Sequence, residues 1–235
     1  MPSSTGHTGS RLSIALILPE ILGTYGDNGN ATILAQRARW RGIDAEIIPV
    51  PLGEPVPATC DIYTLGGGED TAQILGVKHL REDGTLAHVT APIFAICAGF
   101  QILGTTFHAG GRTVAGLGLI DCETTSLTKK RAIGELQSIS PLLTGPATGF
   151  ENHMGATHLG PDAQPFGRVT RGVGNTDAHD VEGAIQNNVI ATYMHGPALA
   201  RNPELADLLL QRATGLELQP LKLDEVDQLR RERLA

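Results

Sequence analysis

Pro92-Ile93-Phe94-Ala95-Ile96-Cys97-Ala98-Gly99-Phe100-Gln101 joins an apolar run to a helix-forming run with no loop between them. Pro92–Ile96 has the length and composition of a strand buried on both faces, and Ala98–Phe107 reads as a helix beginning immediately after Cys97. A strand-to-helix turn this abrupt holds its central residue in a strained backbone conformation and lifts its side chain above the sheet. Both flanks must be small, and Ala95, Ala98 and Gly99 meet that need. A lone cysteine is ordinarily a buried, inert thiol. At this bend a nucleophile is the better reading, because the helix start beneath the sulfur favours negative charge there.

Working outward, Leu12–Leu18 is another continuous apolar run, followed by the glycine-rich loop Pro19–Gly29 and a helix capped by Asn30 that runs to about Arg41. Asp44–Val50 and Ile62–Leu65 read as further strands. The latter runs straight into Gly66-Gly67-Gly68-Glu69-Asp70, with Asp70 capping a helix from Thr71. Val189–Tyr193 is a late buried strand, and Asn202-Pro203-Glu204 is a strong helix start whose helix should stop near Gly215. Strands alternating with helices at this spacing predict an α/β fold, a three-layer, mostly parallel, doubly wound sheet carrying a nucleophile elbow. From Gly110 to Thr170 the pattern becomes short β-like segments between turns, so a smaller antiparallel extension is expected there. Residues 1–10 read as a disordered tail, 11–216 as one domain, and 217–235 as a charged extension whose segment Asp224–Arg233 forms a solvated helix.

Composition excludes several classes of function. Across 235 residues, 41% are apolar and 18% charged, which is the balance of a globular chain. A net charge of −7 argues against a nucleic-acid partner held by phosphate neutralisation. No apolar run approaches the roughly 18–20 residues that span a bilayer, and no hydrophobic signal core opens the chain. Three cysteines without a CxxC pair fit a reducing cytoplasm rather than a disulfide framework or a cysteine-built zinc site. No histidine or carboxylate pair has convincing metal-ligand spacing, so no metal is expected.

A sulfur nucleophile needs a base. His195, just past the strand Val189–Tyr193, is the candidate, because strand ends of a parallel sheet share one edge. His7 lies in the tail, His79 and His88 on helical or surface stretches, and His108, His158 and His179 in polar loops. His153 and Glu151 are intermediate cases, near the site or simply part of a loop. The Gly66–Gly68 run also follows a strand, so a backbone N–H of Gly67 or Gly68, together with that of Ala98, can form an oxyanion hole. No GxxxxGK[ST] phosphate loop occurs. An ATP-dependent step that uses this site's product therefore belongs to another chain.

The combination of glycine-rich strand loop, elbow cysteine and late histidine resembles the class I, triad-type glutamine amidotransferases. Tyr193-Met194-His195-Gly196-Pro197 is similar to the branch containing cobyric acid synthase amidotransferase domains. With Tyr25-Gly26-Asp27-Asn28-Gly29-Asn30 and Gly149-Phe150-Glu151-Asn152-His153-Met154-Gly155, it most resembles the GatD-type glutaminase subunits of lipid II isoglutaminyl synthases. The resemblance implies that Cys97 attacks the side-chain amide of L-glutamine, that Gln101 and Arg131 bind this substrate, and that ammonia is passed on. It further implies a MurT-like, Mur-ligase-like partner in a heterodimer, which would carry ATP and Mg and amidate D-glutamate in the lipid II stem peptide; this chain would hold no cofactor. A cobyrinate-type acceptor, or a catalytically silent regulatory subunit, are the alternatives. Pro197 stands where the family has a glutamate that orients the histidine. The missing acid is expected from the partner, with Asp27 and Glu151 as the candidates within this chain.

Overall fold

The computed structural model describes residues 11–234, so the tail expected at residues 1–10 lies outside it. In chain order, β1 (Leu12–Ile17), α1 (Gly29–Arg39), β2 (Ala45–Val50), β3 (Ile62–Leu65), α2 (Asp70–Asp83), β4 (Ile93–Ile96) and α3 (Ala98–Leu103) build the first half. A run of strands follows: β5 (Thr106–Ala109), β6 (Arg112–Ala115), β7 (Cys122–Ser126), β8 (Ala132–Ile139), β9 (Ala147–His153), β10 (Gly155–Leu159) and β11 (Gly167–Arg171). Then come β12 (Val181–Glu182), β13 (Ala184–Gln186), β14 (Val189–Thr192), α4 (Ala198–Arg201), α5 (Pro203–Thr214) and α6 (Asp224–Leu234).

The central sheet has six strands in the order β13-β14-β4-β3-β1-β2, parallel throughout except for the edge pair β13–β14. β3, β4 and β14 are buried at every position, which is why their sequences read as unbroken apolar runs. From β1 the chain crosses one way to β2, and from β3 it crosses the other way to β4. With both crossovers right-handed, α1 and α2 must cover opposite faces. The reversal between β1 and β3 opens a crevice at the carboxyl ends of the strands, where ligands of such sheets bind.

The expected extension is present as two four-stranded sheets, β10-β7-β5-β6 and β12-β11-β8-β9, antiparallel except for the parallel pair β5–β7. It begins earlier than the sequence indicates. The helix expected to reach Phe107 stops at Leu103, because Gly104 is extended and the β-branched pair Thr105-Thr106 leads into β5. Two cap expectations are also corrected. Helix α1 starts at Gly29, and Asn30 is buried in its first turn, accepting from the Leu199 N–H and donating to the Asp27 carbonyl. Asp70 is the first helical residue of α2, preceded by Glu69, and its carboxylate accepts the Gly110 N–H. In each case a distant segment offers the side chain a better partner than its own helix end.

The C-terminal helix is not simply solvated. No residue of α6 is fully buried, yet Arg230 donates to the carbonyls of Arg201 and Pro146 and to the Asn202 side chain. No helix among the described residues is long and apolar enough to cross a membrane.

Candidate active site

Cys97 sits at the bend with φ 50° and ψ −104°, a left-handed conformation that costs a non-glycine residue on the order of 1–3 kcal/mol. Its own N–H donates to the Thr192 carbonyl, tying the bend to the end of β14. A methyl group on Gly99 would lie 2.8 Å from Leu65 Cβ and 3.0 Å from the Gly66 carbonyl, so only glycine lets α3 start this close to β3. The thiol is 9% exposed and opens onto a cleft that is also lined by Gly68, Gln101, Arg131 and His195.

His195 lies three positions beyond the end of β14 and is held by paired backbone bonds with Phe150 of β9, at 2.8 Å and 3.1 Å. Its Nδ1 donates to Asp27 Oδ2 at 2.8 Å, and both side chains are buried. Of the two acids of this chain considered for orienting the histidine, Asp27, on the loop after β1, is the one that meets it. Pro197 caps α4 against the start of α1, since a Cβ on Gly29 would strike its ring at 2.5 Å. Glu151 does not meet His195 either. It accepts the N–H groups of Val173 and Gly174 at 2.7 and 2.9 Å and holds that turn in place.

Gly67 marks the point of convergence. A Cβ built there would lie 2.8 Å from His195 Cε1, 3.1 Å from Asp27 Oδ2 and 3.4 Å from Cys97 Cβ. Three side chains from the segments that follow β1, β4 and β14 therefore surround one glycine. The oxyanion expectation changes in one respect. The Gly67 N–H donates to Asp27 Oδ2 at 2.9 Å and is committed to holding the acid. The N–H groups of Gly68 and Ala98 have no protein acceptor among the described residues and remain available.

Burial works against a charged imidazole, but hydrogen bonding to Asp27 and the nearby Cys97 sulfur outweigh it and push His195 up to about 10. The site therefore favours the imidazolium that forms when the ring takes a proton from the sulfur. Nδ1 is occupied by Asp27, and Nε2 has no hydrogen-bond partner among the described residues, which leaves it as the nitrogen available to the sulfur.

Gln101 is brought to the cleft but is not free. Its carbonyl accepts from Gln73 and its amide donates to the Tyr193 hydroxyl at 3.1 Å. The same hydroxyl bonds Thr157 at 2.6 Å, and His153 stacks on the Tyr193 ring with centroids 3.8 Å apart. His153 is thus a buried wall of the cleft. Arg131 reaches the mouth from just before β8, with Nε on the Asn152 carboxamide. Tyr25, Gln73, Asn152 and Tyr193 are site residues that reading for catalytic side chains missed. The signal for Tyr25 and Asn152 was present in the glycine-rich Tyr25–Asn30 and Gly149–Gly155 motifs and that for Tyr193 in Tyr193–Pro197, whereas nothing marked Gln73.

Residues 13–203 match the CobB/CobQ-like glutamine amidotransferase domain. The chain is 35% identical over 228 residues to the lipid II isoglutaminyl synthase (glutamine-hydrolyzing) subunit GatD of Staphylococcus aureus, covering 91% of this chain and 90% of that one. It is 33% identical over 226 residues to the corresponding subunit of Streptococcus pneumoniae, covering 91% and 84%. Among solved structures, a crystal structure of a glutamine amidotransferase superposes with a TM-score of 0.59 at 18% identity, over 86% of this chain and 99% of that chain.

Proposed function

Since the chain belongs to the CobB/CobQ-like glutamine amidotransferase family, we propose that Cys97, His195 and Asp27 hydrolyse the side-chain amide of glutamine and release ammonia for a second subunit. The observation that carries this reading is the convergence of the three side chains on Gly67. A proton passes from the Cys97 sulfur to His195 Nε2, and Asp27 stabilises the resulting cation. The sulfur attacks the amide carbon, and the N–H groups of Gly68 and Ala98 receive the oxyanion. As the C–N bond breaks, His195 returns the proton to the leaving nitrogen, which departs as ammonia, leaving a γ-glutamyl thioester. Water then attacks the thioester while giving a proton to His195. The C–S bond breaks, glutamate leaves, and the proton returns to the sulfur.

Arg131 suits the substrate's α-carboxylate through its paired donors, and Glu69 and Asp70, which also line the cleft, suit the ammonium of an amino acid zwitterion. Identity of about a third with two lipid II isoglutaminyl synthase subunits, across most of each length, supports the same role here. The ammonia would then serve ATP-dependent amidation of the D-glutamate α-carboxyl in the lipid II stem peptide, in peptidoglycan synthesis. A Mur-ligase-like subunit would bind ATP and close over the cleft. Tyr25 is 45% exposed, Met154 40% and Ile133 62%, an apolar set near the mouth that such a partner would cover. Three unpaired cysteines suit a cytoplasmic complex.

Two experiments test this. A glutamine-mimicking diazoketone is expected to add once per chain, at Cys97. Burial raises the Cys60 thiol and pushes Cys122 up to about 12, so neither should react at neutral pH; an adduct at either of them instead would overturn the assignment. With the Mur-ligase-like subunit, ATP, glutamine and lipid II, the chain is expected to support stem-peptide amidation. Ammonium salt should replace both glutamine and this chain. No gain in product on adding the chain would remove the lipid II reading.

A further inference from the structure

We propose that Asn152 and Tyr25 form a positioning relay that holds Arg131 in the orientation needed to take the substrate carboxylate. The proposal rests on the reading of the cleft as a glutamine site and extends it to residues that do no chemistry. Arg131 Nε donates to the Asn152 side-chain oxygen, and the Asn152 amide donates in turn to the Tyr25 hydroxyl. The three residues come from separate segments: the loop after β1, the approach to β8 and the end of β9. Tyr25 is itself fixed. It has a left-handed backbone at φ 58°, and its ring stands edge-on to His195, with centroids 4.9 Å apart, and to Phe150 at 6.2 Å.

The arrangement is specific in two ways. Among the described residues Nε is the one guanidinium nitrogen of Arg131 with a protein partner, so both terminal nitrogens stay free to meet a carboxylate in parallel. Both ends of the Asn152 carboxamide are used, one accepting and one donating, which fixes its orientation. An exposed arginine otherwise samples many rotamers, and each productive binding event would have to freeze it. Holding the guanidinium beforehand removes that cost from substrate binding. Arg131 and Tyr25 are exposed and Asn152 is only partly buried, so these bonds do little for the core.

The test is steady-state glutamate release by the full chain. Arg131→Ala is expected to raise KM for glutamine about 10- to 100-fold with kcat held within a few-fold, the effect of losing a charged hydrogen-bond donor. Asn152→Ala should raise KM roughly 5- to 10-fold and Tyr25→Phe about 3-fold, again with kcat retained. In the Arg131→Ala background, adding Asn152→Ala should cause no further rise, because the asparagine acts through the arginine. An unchanged KM in Arg131→Ala would remove the arginine from the glutamine site and the relay with it. A raised KM there, with unaffected Asn152→Ala and Tyr25→Phe or with effects that multiply in the double variant, would leave the glutamine site intact and overturn the relay alone.

Discussion

Cys97→Ala is expected to abolish glutamine hydrolysis, a loss on the order of 10⁴-fold or more in kcat, while the chain folds as before. The size follows from the covalent step: without the sulfur no thioester forms, and only the weak catalysis of the remaining binding groups is left. The fold should survive because the strain at this position is a backbone property that alanine shares with cysteine, and the thiol lies at the edge of the cleft rather than deep in the core. Glutamate release and thermal melting measured on the same preparation check both halves. Activity near that of the parent chain would sink the assignment, and a collapsed melting transition would show that the sulfur packs more than it reacts.

Asp27 carries the second large effect. Asp27→Ala removes the acceptor that orients His195 and, at the same oxygen, the partner of the Gly67 N–H; a drop of about 10³- to 10⁴-fold in kcat is expected. Asp27→Asn separates charge from geometry. An amide oxygen in the place of Oδ2 can keep both hydrogen bonds, but the negative charge is gone. His195 is held at about 10 in the intact site, against an opposing burial effect. Losing the nearby charge should lower it by roughly 1–3 pH units. The alkaline limb of the kcat profile, where the imidazolium needed to protonate the leaving nitrogen disappears, should shift down by the same amount. Two profiles that superpose would argue that Asp27 has no electrostatic role.

The same raised value links the site to stability. A group whose folded value exceeds its unfolded one stabilises the fold fully below the unfolded value, near 6.5, and that contribution fades as the pH rises toward about 10. The protonation state that serves catalysis thus also holds the loop after β1 against the end of β14. Asp27→Ala should accordingly narrow the difference in melting temperature between neutral and alkaline pH.

Sequence alone settled what depends on neighbours along the chain. The order of strands and helices, the abrupt bend at Cys97, the glycine run after β3 and the histidine at the end of β14 are all written locally, in apolar period, residue size and backbone freedom. Tertiary structure decided what depends on segments meeting. A proline at 197 concealed where the acid comes from, because nothing within several residues of Asp27 says that its loop folds over β3 to reach His195. Gly67 could not be known to spend its N–H on that acid, nor Asn30 to leave its cap for Leu199. Arg131, Asn152 and Tyr25 lie far apart in the chain and become partners only when the antiparallel sheets fold over the carboxyl edge of the central one. Local sterics and hydrophobicity act over a few residues, whereas hydrogen bonds across a cleft exist only once the intervening chain has packed.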